Sequence, residues 1–230
     1  MGTVHFGAPE REMAYLVNAM ALSVFFEGGT YRGGTALKAS ALVNKVITVE
    51  RSDVMFEIAR STIGAVQNIV MLKGDTRDHL KSVLAGNDHI LFWLDAHWSG
   101  GDTYGENDEC PLLDELAIIF AGRRTCVILV DDARLFLAPP PKPHVLERWP
   151  TIKAISKIVP EDWDIVVYDD VIYILPGKVS LAFREFVQTD VTRRWHEGQK
   201  PLSFATKLKR APGLIARRLG LRKKDLLIPS

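Results

Sequence analysis

Residues 163–175, WDIVVYDDVIYIL, decide how the chain folds. Two apolar runs, Trp163–Tyr168 and 171–175, are separated only by Asp169-Asp170. Strands joined by a two-residue polar connection form an antiparallel hairpin. Upstream, short runs rich in Val, Ile, Leu or Phe at 22–27, 46–50, 68–72, 89–95 and 126–131 read as strands. Their continuous apolar character predicts burial on both faces, as in a parallel sheet. Helix-length segments at 35–42, 53–63, 77–84 and 111–121 lie between them. This alternation predicts a doubly wound, Rossmann-like α/β sheet of seven strands, closed by the antiparallel C-terminal hairpin. That closure is unusual for a nicotinamide-binding fold. A further helix is expected at 181–195. The stretch 137–143, LAPPPKP, reads as an extended loop, because proline lacks the backbone donor.

The 230 residues are 47% hydrophobic and 25% charged, with 17 Gly and 12 Pro, which excludes collagen-like and wholly disordered chains. No apolar run reaches the roughly 18 residues of a membrane-spanning helix, and residues 1–16 lack the pattern of a secretory signal. The two cysteines, Cys110 and Cys126, exclude a disulfide scaffold and a thiolate zinc site, so a reducing cytoplasm is expected. Residues 1–183 carry 17 Lys and Arg against 24 Asp and Glu, a net of −7. Residues 184–230 carry 12 against 4, a net of +8. The expected division is therefore an acidic body domain, 1–183, and a basic, partly helical tail, 184–230. In the tail, Phe204, Leu208, Ile215 and Leu219 alternate with Lys207, Lys209, Arg210, Arg217 and Arg218. Packing on the acidic body, a homodimer contact and peripheral docking on an anionic membrane stay open for it. Nucleic acid is disfavoured, because no aromatic-basic platform accompanies the charge.

The stretch Phe26-Glu27-Gly28-Gly29-Thr30-Tyr31-Arg32-Gly33-Gly34-Thr35 follows the first strand and opens a helix. Glycines there let the backbone approach a ligand closely. The dinucleotide fingerprint G-x-G-x-x-G fails. The pattern that fits is E-x-G-x-x-x-G-x-T, through Glu27, Gly29, Gly33 and Thr35. Glu50 ends the second strand 21 residues after Gly29, where an acid binds ribose hydroxyls in doubly wound folds, and Arg51 follows it. Asp75 and Thr76 follow the third strand. FWLDAHW closes the fourth strand with Asp95, His97 and Trp98, and LVDDAR closes the fifth with Asp131, Asp132 and Arg134. All these strand ends share one edge of the sheet, so the three carboxylates should converge. Crowded carboxylates repel unless a cation or protons relieve them. Mg²⁺ suits such a set, with other divalent ions open. His97 has three open roles: ligand, general base, or orienter of Asp95. The polar stretch 99–110, SGGDTYGENDEC, reads as a surface loop or a lid over substrate. Trp98 and Tyr104 are candidates for an aromatic stacking face, and Arg134 for a ligand contact on the same edge.

The glycine pattern resembles motif I of S-adenosylmethionine (SAM)-dependent methyltransferases, whose sheet carries the same closing hairpin. Together with FWLDAHW, CPLLDEL and ILVDDAR it resembles metal-dependent class I O-methyltransferases, in particular the branch acting on sugar hydroxyls, the macrocin O-methyltransferase type. The resemblance covers roughly residues 20–175. It implies a SAM cradle of Glu27, Gly28, Gly29, Thr30, Tyr31, Gly33, Thr35, Glu50, Arg51, Asp75, Thr76 and Asp95, with Asp75 facing the adenine amino group. It implies Mg²⁺ held by Asp95, Asp131 and Asp132, with Asp95 also serving as base. The sequence departs from that branch in Ala96-His97, where the macrolide-sugar enzymes carry a further acid, and in the insertion 99–109 and the tail. The expected function is Mg²⁺-dependent O-methylation of a sugar or glycosylated metabolite, with two vicinal hydroxyls chelating the ion. A catechol-like acceptor, a binding module without turnover, and a metal-dependent oxidation on the same fold stand as alternatives.

Overall fold

The structure, a computed structural model, describes residues 7–97 and 108–199. In chain order the elements are α1 (Glu10–Met20), β1 (Val24–Gly28), α2 (Gly34–Ser40), β2 (Lys45–Glu50), α3 (Asp53–Ile63), β3 (Ile69–Lys73), α4 (Thr76–Gly86) and β4 (Ile90–Leu94). They continue with α5 (Leu112–Ala121), β5 (Cys126–Val130), α6 (Arg134–Leu137), α7 (Ile152–Ile158), β6 (Trp163–Tyr168), β7 (Val171–Pro176) and α8 (Gly177–Gln199). The described strands form one seven-stranded sheet in the order β3-β2-β1-β4-β5-β7-β6. The first five run parallel; β7 is antiparallel to β5, and β6 to β7. The expected α/β sheet with its closing hairpin is thus present.

Burial follows position in the sheet. Every residue of β1, β4 and β5 is buried, as the unbroken apolar runs require. The edge strands β3 and β6 leave Val70 and Val167 exposed. Phe26, Phe92, Ile128 and Ile174 face one layer, in a core shared with Leu80 and Leu84 of α4, Leu116 and Ile119 of α5, and Ile155 of α7. On the opposite face Tyr173 packs on Phe183 of α8, which also meets Tyr15 of α1.

Local signals set the helix starts. The Ser52 and Thr151 hydroxyls accept from Met55 N and Ala154 N, capping α3 and α7. Three helices lie outside the sequence reading: α1, α6 and α7. In α1, Met13, Leu16, Val17 and Met20 are buried, which is the i, i+3, i+4, i+7 spacing of an apolar stripe. The helix expected at 181–195 is longer and leaves β7 directly at Gly177. The compact unit holding the sheet ends at Glu185, and a second unit begins at Phe186. The tail beyond 199 lies outside the described residues, and so do Trp98 and Tyr104. No described helix is long and apolar enough to cross a membrane.

Candidate active site

The strand order reverses between β1 and β4, and in open α/β sheets ligands bind beyond the strand ends at such a switch. The backbone there is stitched tight. Asp95 N donates to Gly28 O (2.9 Å), and Gly29 N and Thr30 N both donate to Val49 O (3.0 and 3.1 Å). Gly29 has φ +89°, and a Cβ on it would collide with the Asp95 carbonyl oxygen. Gly33 (φ +81°) closes the turn by donating to Thr30 O, and its missing Cβ makes room for Ile63. These are conformations that glycine alone adopts without cost.

Beneath this turn runs a buried polar chain. Thr30 Oγ1 lies 2.5 Å from Thr48 Oγ1, which donates to Glu27 Oε2 at 2.6 Å. Glu27 is almost wholly buried, and loss of hydration pushes its pKa up to about 8 against the pull of the Thr48 bond. Glu50 ties the turn to β2: Tyr31 N donates to Oε2 (2.8 Å) and Ser52 N to Oε1 (2.7 Å). A carboxylate accepts about four hydrogen bonds, so Glu50 keeps lone pairs for a ligand's hydroxyls.

Asp75 is in a different position. It accepts from Arg77 N, Nε and Nη2 and from Arg51 Nη1, at 2.8–2.9 Å. All its lone pairs are filled, and the Arg77 bonds hold its pKa below the ordinary range. It caps α4 and clamps two arginines; no lone pair remains for an adenine amino group. The neighbouring Thr76 is buried with its side chain against the Cα of Gly28. Near it Glu115 is buried with Oε1 unpartnered, and burial raises its pKa to about 8.

At the ends of β4 and β5 the side chains form a second network. His97 Nε2 lies 2.9 Å from Asp132 Oδ2, and Nδ1 lies 3.6 Å from Asp95 Oδ1. Arg134 Nη1 holds Asp132 Oδ1 at 2.6 Å and also binds Asp170 Oδ2. Asp170 sits in the β6–β7 turn; its Oδ1 accepts from Arg134 N (2.9 Å), and its carbonyl accepts from Ala133 N (2.8 Å). Asp131 Oδ1 accepts from Asp132 N at 2.7 Å. Burial pulls the His97 pKa down, but the Asp132 bond and the charges of Asp95, Asp132 and Asp131 outweigh it and bring it to about 9. Lost hydration raises the Asp95 pKa; His97 opposes this, and Asp131 and Asp132 add to it.

A third cluster supports His97 from the other side. Its ring meets Trp149 edge-on at 5.4 Å, and Trp149 also meets Phe136 and His144. Trp149 Nε1 donates to buried Glu109 Oε2 (2.7 Å), which also lies 3.1 Å from His144 Nδ1 and accepts from Val145 N. Glu109 thus ties the proline-rich segment 138–149 to the chain just before α5. The site roles of Asp170, Glu109 and Trp149 escaped the sequence reading. The only signal for them was their polarity beside apolar runs, and their partners lie 35–40 residues away.

The donor set expected for Mg²⁺ does not fit an ion. Both oxygens of Asp132 and one of Asp131 are engaged within the chain. An entering cation would meet His97 and Arg134 beside its own ligands. Among the described residues no three His, Cys, Asp or Glu side chains are placed to hold a metal. For SAM the residues do fit: the glycine turn lies at the switch point, and Glu50, which accepts from Tyr31 N in that turn, keeps acceptor capacity to spare.

The strand order, the closing hairpin and the glycine turn at the switch point define the class: a Rossmann-like methyltransferase fold. Among solved structures, the chain is similar to the SAH-bound methyltransferase PaMTH1 of Podospora anserina, with 18% identity over 73% of this chain and 77% of that one (TM-score 0.52). It is also similar to TomG, an O-methyltransferase of Streptomyces achromogenes involved in tomaymycin synthesis and solved with SAM, with 15% identity over 75% and 82% (TM-score 0.54). At this identity the likeness is one of fold. No family model and no curated protein matches the sequence.

Proposed function

We propose that the chain is a SAM-dependent O-methyltransferase acting on a hydroxyl of a sugar or glycosylated metabolite. The observation that carries this reading is the glycine turn at the switch point, packed against the Asp95 backbone and tied to Glu50, one strand from the Asp95–His97 pair. When bound, SAM supplies a sulfonium methyl: an O–C bond forms as the S–C bond breaks, and the pair returns to sulfur. The Gly28–Gly29 backbone gives close approach, Glu50 takes the ribose hydroxyls, and buried Glu27 and Thr30 support the amino-acid end. Both ring nitrogens of His97 face carboxylates, so His97 is the orienter and not the base. Asp95 keeps about a third of its side chain exposed and is the group an acceptor reaches. Its ionised form, short of hydration, is a stronger base than an ordinary carboxylate and takes the hydroxyl proton as the oxygen attacks. The sugar class follows from the resemblance of the strand-end motifs.

Calorimetric titration with S-adenosylhomocysteine (SAH), followed by an acceptor screen with SAM, tests the reading. SAH is expected to bind in the micromolar range, to lose about tenfold or more in affinity in Glu50→Ala, and to keep it in Asp95→Asn. No SAH binding by the wild-type chain sinks the proposal.

A further inference from the structure

From the geometry at the ends of β4 and β5 we infer that the aspartate cluster is a closed network, its Asp132 oxygens taken by His97 and Arg134, and that the site works on its acceptor without a divalent cation. The inference rests on the methyltransferase reading and departs from the metal its sequence motifs imply.

A hard divalent ion needs several carboxylate oxygens free to turn toward one point, with room for water or substrate oxygens. Asp132 offers neither. His97 takes Oδ2 at 2.9 Å and Arg134 takes Oδ1 at 2.6 Å, a charge-assisted pair on each oxygen. Neither cation is free to leave. Arg134 is gripped a second time by Asp170 from the hairpin turn, through both its guanidinium and its backbone N–H. His97 is wedged between Asp132 and the Trp149 ring, and Trp149 is fixed in turn by Glu109. Asp131 gives Oδ1 to the Asp132 amide. A metal would have to displace the His97 ring and the Arg134 guanidinium, each held from other parts of the chain, and would be repelled by Arg134 while entering.

The network offsets part of the crowding of Asp95, Asp131 and Asp132 that the sequence shows, using the chain's own side chains. The consequence is a substrate rule. Without an ion to chelate, the acceptor needs a single hydroxyl presented to Asp95, and no vicinal diol. Its proton passes to the Asp95 carboxylate, which His97 holds in place.

The test uses the full chain dialysed against EDTA. Mn²⁺ is titrated in while the signal of the free ion is followed by paramagnetic resonance, and SAH is titrated in EDTA and in millimolar Mg²⁺. The wild-type chain is expected to leave the free Mn²⁺ signal unchanged, and the two SAH affinities to agree within about twofold. Arg134→Met uncovers Asp132 and Asp170 and is expected to take up Mn²⁺; if that variant does not fold, the wild-type titration decides alone. One equivalent of Mn²⁺ bound by wild type and released in Asp132→Asn, or SAH binding tightened about tenfold or more by Mg²⁺, overturns the inference. SAH failing to bind in either buffer would instead remove the methyltransferase reading, while the Mn²⁺ result would still report on the cluster.

Discussion

At Gly29 the backbone leaves no room for a side chain. A methyl group there meets the Asp95 carbonyl, and φ +89° is costly for any L side chain. Gly29→Ala is expected to cost about 1–3 kcal/mol, which for a domain of this size lowers Tm by about 2–4 °C per kcal/mol, and to abolish SAH binding. Thermal unfolding and SAH titration of the variant check this; an unchanged Tm means the turn is looser than described. The sequence places Glu50 and Asp75 on the same footing, each an acid following a strand. The structure separates them. Glu50 receives two backbone amides and retains acceptor capacity, whereas Asp75 is filled by Arg77 and by Arg51, which is 24 residues away. Spacing shows that an acid is present. Only its neighbours show whether it is free.

Among the elements, the β6–β7 hairpin carries more than its sequence reading assigns. Its two turn residues, Asp169 and Asp170, have φ +46° and +67°, the left-handed pair of a tight hairpin turn, which Asp tolerates better than most residues. That much was legible from two apolar runs and a polar pair. The role of Asp170 as the second grip on Arg134 was not, because it depends on where β7 lies beside β5. Asp170→Ala leaves the Arg134 amide and guanidinium short of a partner. Discounted for the partial exposure of Arg134, the cost is about 1–2 kcal/mol, a loss of about 2–8 °C in Tm. Asp170→Asn keeps one acceptor oxygen and is expected to restore part of it. Wild-type Tm in Asp170→Ala would show that the hairpin does not anchor the β5 end. Of the three helices outside the sequence reading, α1 had a readable stripe, while the four-residue α6 and seven-residue α7 are too short for a periodic signal.

For the whole molecule, two buried glutamates set the sign of a pH dependence. Burial raises Glu27 and Glu115 from 4.5 to about 8. Between those values the native state holds protons that the unfolded chain releases, so their contribution favours folding below pH 4.5 and is lost as pH rises toward 8. Asp75 and Asp132, depressed below 3.8, act in the opposite sense and only in acid. Glu115→Gln removes one glutamate's share. Its Tm relative to wild type is expected to be higher at pH 8 than at pH 5, as scanning calorimetry at the two values would show. The same difference at both would mean that Glu115 is ionised in the native state.

Determined by the sequence alone are the parallel sheet, its closing hairpin and the glycine turn over the strand ends. These rest on local physics: unbroken apolar runs need two covered faces, a two-residue polar link forces a hairpin, and a left-handed turn calls for glycine. The tertiary structure decides which charges meet. Asp132 faces His97 across 35 positions, Asp170 holds Arg134 across 36, and Glu109 holds Trp149 across 40. Each pairing is set by strand register and loop closure, which bring distant residues to one edge. The same row of aspartates therefore reads as an open cluster in one dimension and as a set bonded to His97 and Arg134 in three.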